Sequence, residues 1–240
     1  MRTMCYTLGS LIGLGLLAPA WSQGPESSFK GQVKIGQHKQ KLERGKLYRV
    51  KVESDGFRPN VTVRPGYFIH TGEANQGDTF LGFLFPQESR EYKFLVLPNL
   101  FDEIGDGPLN YTMQISNIPL AEKPVLEEKA KLEKADPIYK NPDLGFDKKC
   151  LFKAFPIKMQ AKQFYIIDMV RSGDDIDPYL YLEGPDGKIV ASDDDSGGSL
   201  NARIIYQPRR SGAYRIIAST LVPATGAFTL TVRSQAKEKE

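Results

Sequence analysis

Cysteine is nearly absent: the 240 residues hold Cys5 and Cys150 only. Histidine is as rare, at His38 and His70, and Trp21 is the one tryptophan. Past the N-terminus there is no apolar run approaching the ~20 residues that a membrane-spanning helix needs. These shortages exclude a good deal. There are too few cysteines and histidines for a paired-cysteine zinc site. No HExxH, GxSxG or phosphate-loop pattern occurs either. Charge of one sign is missing as well. With 32 Lys and Arg against 29 Asp and Glu, the net is +3, too small a bias to argue for nucleic acid or an anionic membrane. Aromatics are not interleaved with basic clusters, which speaks against single-strand binding.

The first stretch, "MRTMCYTLGSLIGLGLLAPAWSQG", has one charge at Arg2, an apolar run from Leu8 to Ala20, and small residues at Ala20 and Ser22. This is the layout of a secretory signal cleaved after Ser22. Cys5 precedes the apolar run, so it is not placed for lipid attachment. The expectation is an exported chain, secreted or at the cell envelope, with no membrane span once residues 1–22 are removed. Removal leaves residues 23–240 with a net of +2 (+3 less Arg2) and Cys150 alone, which cannot form an internal disulfide. Lys148 and Lys149 could lower its pKa, but a half-buried structural thiol is the preferred reading. The fold must be held by its cores, and about 100 residues per core suffices.

A repeat organises what remains. "QKLERGKLYRVKVESDG" (40–56) lies over "IKMQAKQFYIIDMVRSG" (157–173), with Leu47 on Phe164, Tyr48 on Tyr165, Val50 on Ile167 and Gly56 on Gly173, each pair 117 apart (165 − 48). Pro59, Val61 and Val63 fall on Pro178, Leu180 and Leu182, and "NYTMQI" falls on "AFTLTV". The matched blocks are short, rich in β-branched and aromatic residues, and mostly alternate apolar with polar, as half-buried strands do. Gly, Pro, Asn and Asp clusters separate them, and "PDGK" (185–188) is a tight turn joining Leu182 to Ile189 as a hairpin. The expected architecture is all-β: two tandem jelly-roll-like antiparallel β-sandwiches at 29–116 and 147–233. Residues 117–146 are expected to be a charged linker. Glu127 and Lys131 could support a helical turn or two from Val125 to Lys134, but a solvated spacer is preferred. Residues 234–240 are expected to be a disordered polar tail.

The second unit resembles the bacterial pre-peptidase C-terminal domain family. The residues that carry the likeness are "KQFYIIDMV", "DPYLYLEGPDGKIVASDDDSGGSLNARIIYQP", "SGAYRIIAS" and "TGAFTLTV". The first unit shares only the framework and has "NVTVRPGYFIHTGEANQGDTFLGF" where the acidic loop would be. The resemblance implies a jelly-roll-like sandwich that travels as an appendage to secreted enzymes. Here no catalytic domain accompanies it, so an accessory or attachment protein is implied, its partner an extracellular or envelope protein or polysaccharide.

The acids concentrate in one place. From Asp174 to Asp195 there are eight acids and one lysine, a local net of −7, so the rest of residues 23–240 carries +9 (2 + 7). A hairpin returns its outgoing end beside its incoming one, so "SGDDID" and "SDDDSGG" should meet at one end of a sheet. Carboxylates on converging loops suit Ca²⁺, which takes six to eight oxygens. The candidate ligands are Asp175, Asp177, Asp193 and Asp195, with Asp174 and Asp194 as outward neighbours. This is not an EF-hand, since the twelfth position counted from Asp193 is Ile204 rather than Glu. The competing reading is a turn whose aspartates bond backbone amides. Catalysis is not expected: His38 aligns with Phe155 as a framework position, and His70 has no acid–nucleophile pattern beside it. The alternative to an attachment protein is a carbohydrate-binding module with Tyr179 and Tyr181, joined by Tyr206, as a sugar platform. That tyrosine face could equally be an interface.

Overall fold

The computed structural model describes residues 27–32, 36–65, 70–71, 77–99, 109–140 and 149–237. The expected signal segment, residues 1–22, lies outside them. All regular structure among the described residues is β-strand, and every register given below is antiparallel. The chain divides into two compact units.

The first unit comprises residues up to 117, apart from Leu42–Leu47 and Phe85–Arg90. Its strands are β1 (Ser27–Gln32), β2 (Gly36–Leu42), β3 (Leu47–Asp55), β4 (Pro59–Arg64), β5 (His70–Thr71), β6 (Thr79–Leu84), β7 (Arg90–Pro98) and β8 (Asn110–Ile118). They form two sheets, ordered β1-β8-β3-β6-β5 and β2-β7-β4. Alternation does the work here: Val61 and Val63 are buried while Asn60, Thr62 and Arg64 are exposed, as a strand with one wet face requires. His38 on β2 is half-buried, and its Nε2 is hydrogen-bonded to the Tyr111 hydroxyl of β8 at 2.5 Å. Burial lowers the His38 pKa and pushes Tyr111 up to about 12. The pair occupies framework positions, as the repeat implied for His38. Gly36 makes room for it, because a Cβ there would lie 1.7 Å from the Tyr111 hydroxyl oxygen.

The second unit comprises Leu42–Leu47, Phe85–Arg90 and Ile118–Glu240. Its strands are β9 (Leu126–Leu132), β10 (Ile138–Lys140), β11 (Lys149–Leu151), β12 (Lys153–Met159), β13 (Tyr165–Arg171), β14 (Pro178–Glu183), β15 (Ile189–Asp193), β16 (Ala202–Tyr206), β17 (Gly212–Thr220) and β18 (Gly226–Ser234). Sheets ordered β12-β17-β14-β15 and β16-β13-β18-β9 face each other, and β10 pairs with β11 as a separate hairpin. Ile167 and Met169 of one sheet and Leu180, Leu182 and Ile216 of the other meet in a shared core with Tyr214, Phe228 and Leu230. This is a β-sandwich.

The repeat is a repeat of topology. The order β2-β7-β4 matches β12-β17-β14, and β1-β8-β3-β6 matches β9-β18-β13-β16. β2 and β12 start 117 apart (153 − 36) and β4 and β14 start 119 apart (178 − 59), the same offsets the sequence shows.

Two expectations fail. The charged segment 126–132 is neither a helix nor a spacer: as β9 it pairs with β18 along the register Leu132↔Gly226 to Leu126↔Val232. Leu132 is fully buried, and Leu126 and Ala130 pack on the core. The lysines and glutamates between them suit an outermost strand, where charge deters pairing with another chain. The tail is also ordered as far as it is described. Gln235 bridges to Leu120, its amide donates to Phe164 O at 2.8 Å, and the Ala236 amide donates to Pro119 O at 2.8 Å.

Candidate functional site

The expected hairpin forms, with Leu180 opposite Asp193 and Leu182 opposite Ala191. Its closure places Asp177, just before β14, beside the residues that follow β15. Two further loops join them. The Leu221 amide donates to Asp177 O (2.8 Å) and the Ser172 amide to Ala227 O (2.9 Å). A Cβ on Gly226 would lie 2.7 Å from Ile176, so the loop before β18 runs tight against the acidic one. Residues 172–177, 194–201 and 221–225 thus share one end of the second sandwich.

Asp177 occupies the tightest position. Its Oδ1 is buried and makes no hydrogen bond. Its carboxyl is pushed above the usual range, first by desolvation and then by the charges of Asp195 and Asp194, with Arg171 opposing. Asp174 and Asp175 are exposed, and Asp174 pairs with Arg171 at 3.0 Å.

Asp193 does something else. It accepts from the amides of Ser196 (3.1 Å) and Arg203 (2.7 Å), and Ser196 Oγ lies 2.5 Å from its second oxygen. Burial raises its pKa, while these hydrogen bonds pull the other way. The rest of "DDDSGGSLN" completes the turn. The Gly197 amide donates to Asn201 O at 2.7 Å, and a Cβ at Gly197 would lie 2.4 Å from that oxygen, so only glycine fits. Gly198, Ser199 and Leu200 follow with φ of 81°, 55° and 60°, a left-handed run that costs energy for the two non-glycine residues. Asn201 holds it, donating from Nδ2 to Gly198 O and accepting the Arg171 amide at 3.0 Å.

These contacts bear on the calcium expectation. Asp177 and Asp195 do come together electrostatically. Asp193 is committed to its own turn, and Asp175 is exposed. Among the described residues no three His, Cys, Asp or Glu side chains gather closely enough to hold a metal ion. The quartet Asp175, Asp177, Asp193 and Asp195 therefore does not fit a site of six to eight oxygens as it stands.

The tyrosine platform is corrected more sharply. Alternation places Tyr179 and Tyr181 opposite Leu180 and Leu182, as expected, but the face they share is covered. Tyr179 is 8% exposed and Tyr181 0%. They stack at 4.7 Å under Tyr139 of β10 and Phe152, the residue after β11. Ser219 Oγ donates to Leu151 O (2.9 Å), tying the hairpin down. Residues 141–148, between the hairpin's two strands, lie outside the described residues. Tyr206 is half-buried against Tyr214 and the core, and Cys150 is wholly buried. Neither Tyr179 nor Tyr181 offers a ring to a sugar.

One buried group escaped the sequence reading. Asp168 on β13 sits opposite Arg203 of β16, whose Nε donates to its Oδ1 at 2.5 Å. Arg233 of β18 reaches its Oδ2 at 3.1 Å. Within the same unit, Arg203 Nη1 donates to Phe85 O (3.1 Å), and its guanidinium lies 4.5 Å over the Phe85 ring. The signal was an acid inside the apolar run "YIIDMV".

No family model matches the chain, and no curated protein matches it. Among solved structures it is similar to the M60 catalytic domain with the CBM51-1 and CBM51-2 domains of Clostridium perfringens ZmpB. That match has 8% identity and a TM-score of 0.27, over 87% of this chain and 34% of that one. It is also similar to tripeptidyl peptidase 2, with 8% identity and a TM-score of 0.26, over 88% of this chain and 22% of that one. The chain therefore spans about a third and about a fifth of their lengths.

Proposed function

We propose that the chain is a non-catalytic attachment protein of the exported kind, made of tandem pre-peptidase C-terminal-like sandwiches. The second sandwich presents its acidic loop end to a protein or polysaccharide at the cell envelope. The observation that carries this is Asp177. Its buried oxygen has no partner, and its charged form is disfavoured first by burial and then by Asp195 and Asp194. Groups held at an electrostatic cost concentrate where a protein binds or reacts. Such a cost is offset when a cationic partner arrives, which also speeds encounter. The signal-like N-terminus and the family resemblance support export. Among the described residues no helix is long and apolar enough to cross a membrane.

The sugar reading through Tyr179 and Tyr181 is not carried forward, because Tyr139 and Phe152 cover that face. The test is retention of fluorescently labelled protein on envelope preparations, comparing wild type with a variant in which Asp174, Asp175, Asp194 and Asp195 are changed to Asn. Loss of retention in the variant supports the proposal. Equal retention of the two contradicts it.

A further inference from the structure

The second sandwich has four outermost strands, and three are blunted by charge, proline or burial. β9 carries Glu127, Glu128, Lys129 and Lys131. β12 has Pro156 at its centre, which lacks an N–H. β16 is buried over most of its length, with Arg203 tied to Asp168. β15 is different. It pairs on one side only, with β14, and its register slips at Val190, where Ala191 faces Leu182 and Ile189 faces Glu183. It contains no proline, and Ile189 and Val190 are 37% and 39% exposed. Ala191 packs on the core, so a strand added here would extend the sheet beside it and cover Ile189 and Val190. The strand runs straight into Asp194 and Asp195, beside Asp177.

Resting on the attachment reading above, we infer that β15 is an acceptor edge for an extended segment of a partner polypeptide. That segment would carry Lys or Arg at the end lying beside Asp194 and Asp195, followed by residues alternating apolar and polar. Main-chain hydrogen bonds to the open edge supply sequence-independent affinity, and alternate side chains supply selectivity. The acids supply direction: they draw a basic end to one end of β15 and repel an acidic one. A second copy of this chain fits less well. Five residues of edge bury far less than the roughly 1,200–2,000 Å² of a standard stable interface.

The test is an amide-resolved NMR titration of the chain freed of residues 1–22, with two blocked peptides as probes. One is Lys-Lys-Thr-Val-Thr-Val-Thr and the other Glu-Glu-Thr-Val-Thr-Val-Thr. The expected result is that the basic peptide shifts the amides of residues 189–195 and 174–177, and the acidic one shifts them at least about tenfold less at equal concentration. Raising NaCl from about 50 to about 500 mM should weaken the basic peptide several-fold. Asp194→Asn with Asp195→Asn should do the same. Ile189→Lys with Val190→Lys, an edge charge that leaves the β14 pairing in place, should abolish the shifts while the rest of the spectrum stays folded.

Shifts centred elsewhere, or equal shifts from both peptides, would overturn the acceptor edge and leave the attachment reading standing. No shift from either peptide would also overturn it, and the attachment reading then stands or falls on envelope retention alone. A dimer in sedimentation, with residues 189–195 shifting on dilution, would overturn it in favour of a second copy.

Discussion

Asp177 and Asp193 lie sixteen residues apart and carry the same chemistry, yet they play opposite parts. Asp193 gives its oxygens to two amides and a hydroxyl, so Asp193→Ala should cost about 1–3 kcal/mol, the price of leaving such donors unsatisfied. If the carboxylate acts as a turn cap alone, thermal unfolding should show the same loss in EDTA as in millimolar CaCl₂. Asp177 has no such partners. Its folded pKa is raised, so the native state holds its proton more tightly than the unfolded chain. Stability is therefore favoured at low pH and lost as pH rises through the folded pKa. Asp177→Asn removes that loss. The variant should match wild type at pH values below the unfolded carboxyl pKa of about 3.9. It should become more stable than wild type at neutral pH. Denaturant midpoints across pH would show the gap opening. Arg203 belongs at this scale too. Arg203→Met strands Asp168 in a buried position with only Arg233 left, and should cost about 3–5 kcal/mol.

At the scale of elements, sequence and structure agree where side chains alternate and part where tertiary contacts decide. The duplicated strands and the "PDGK" hairpin were legible because period two and turn residues are local signals. The meeting of the two acidic loops followed from that hairpin alone. β9 was not legible. Its Glu and Lys residues satisfy a helical i,i+4 rule as readily as they decorate an edge strand, and only the open side of β18 settles the matter. The tyrosine face was misread for a related reason. Alternation fixes which face Tyr179 and Tyr181 occupy, but it says nothing of the paired strands β10 and β11 lying over that face. Asp193 was grouped with the ligands because a turn cap and a metal ligand use the same oxygen. Strand β9 makes a direct prediction. A piece spanning 118–240 should unfold at a distinctly higher temperature than one spanning 133–240, which lacks β9 and keeps β10. Burial of Leu132 alone is worth about 1.5–3 kcal/mol.

For the whole molecule, charge is unevenly spread: −7 from Asp174 to Asp195 against +9 over the rest of residues 23–240. A fold under no other demand gains nothing from that. The same framework occurs in the first unit without an acidic counterpart to "SDDDSGG". The charge is therefore not something the sandwich topology needs, and the proposed partner capture would account for it. Retention of labelled protein on the envelope of the producing cell tests this most directly. Wild type should be retained in a salt-sensitive manner. The variant with Asn at 174, 175, 194 and 195, all at positions that are exposed or only half-buried, should keep its melting temperature and lose retention by about tenfold, equivalent to about 1.4 kcal/mol. Retention unchanged by the four substitutions would contradict an acidic loop end built for binding.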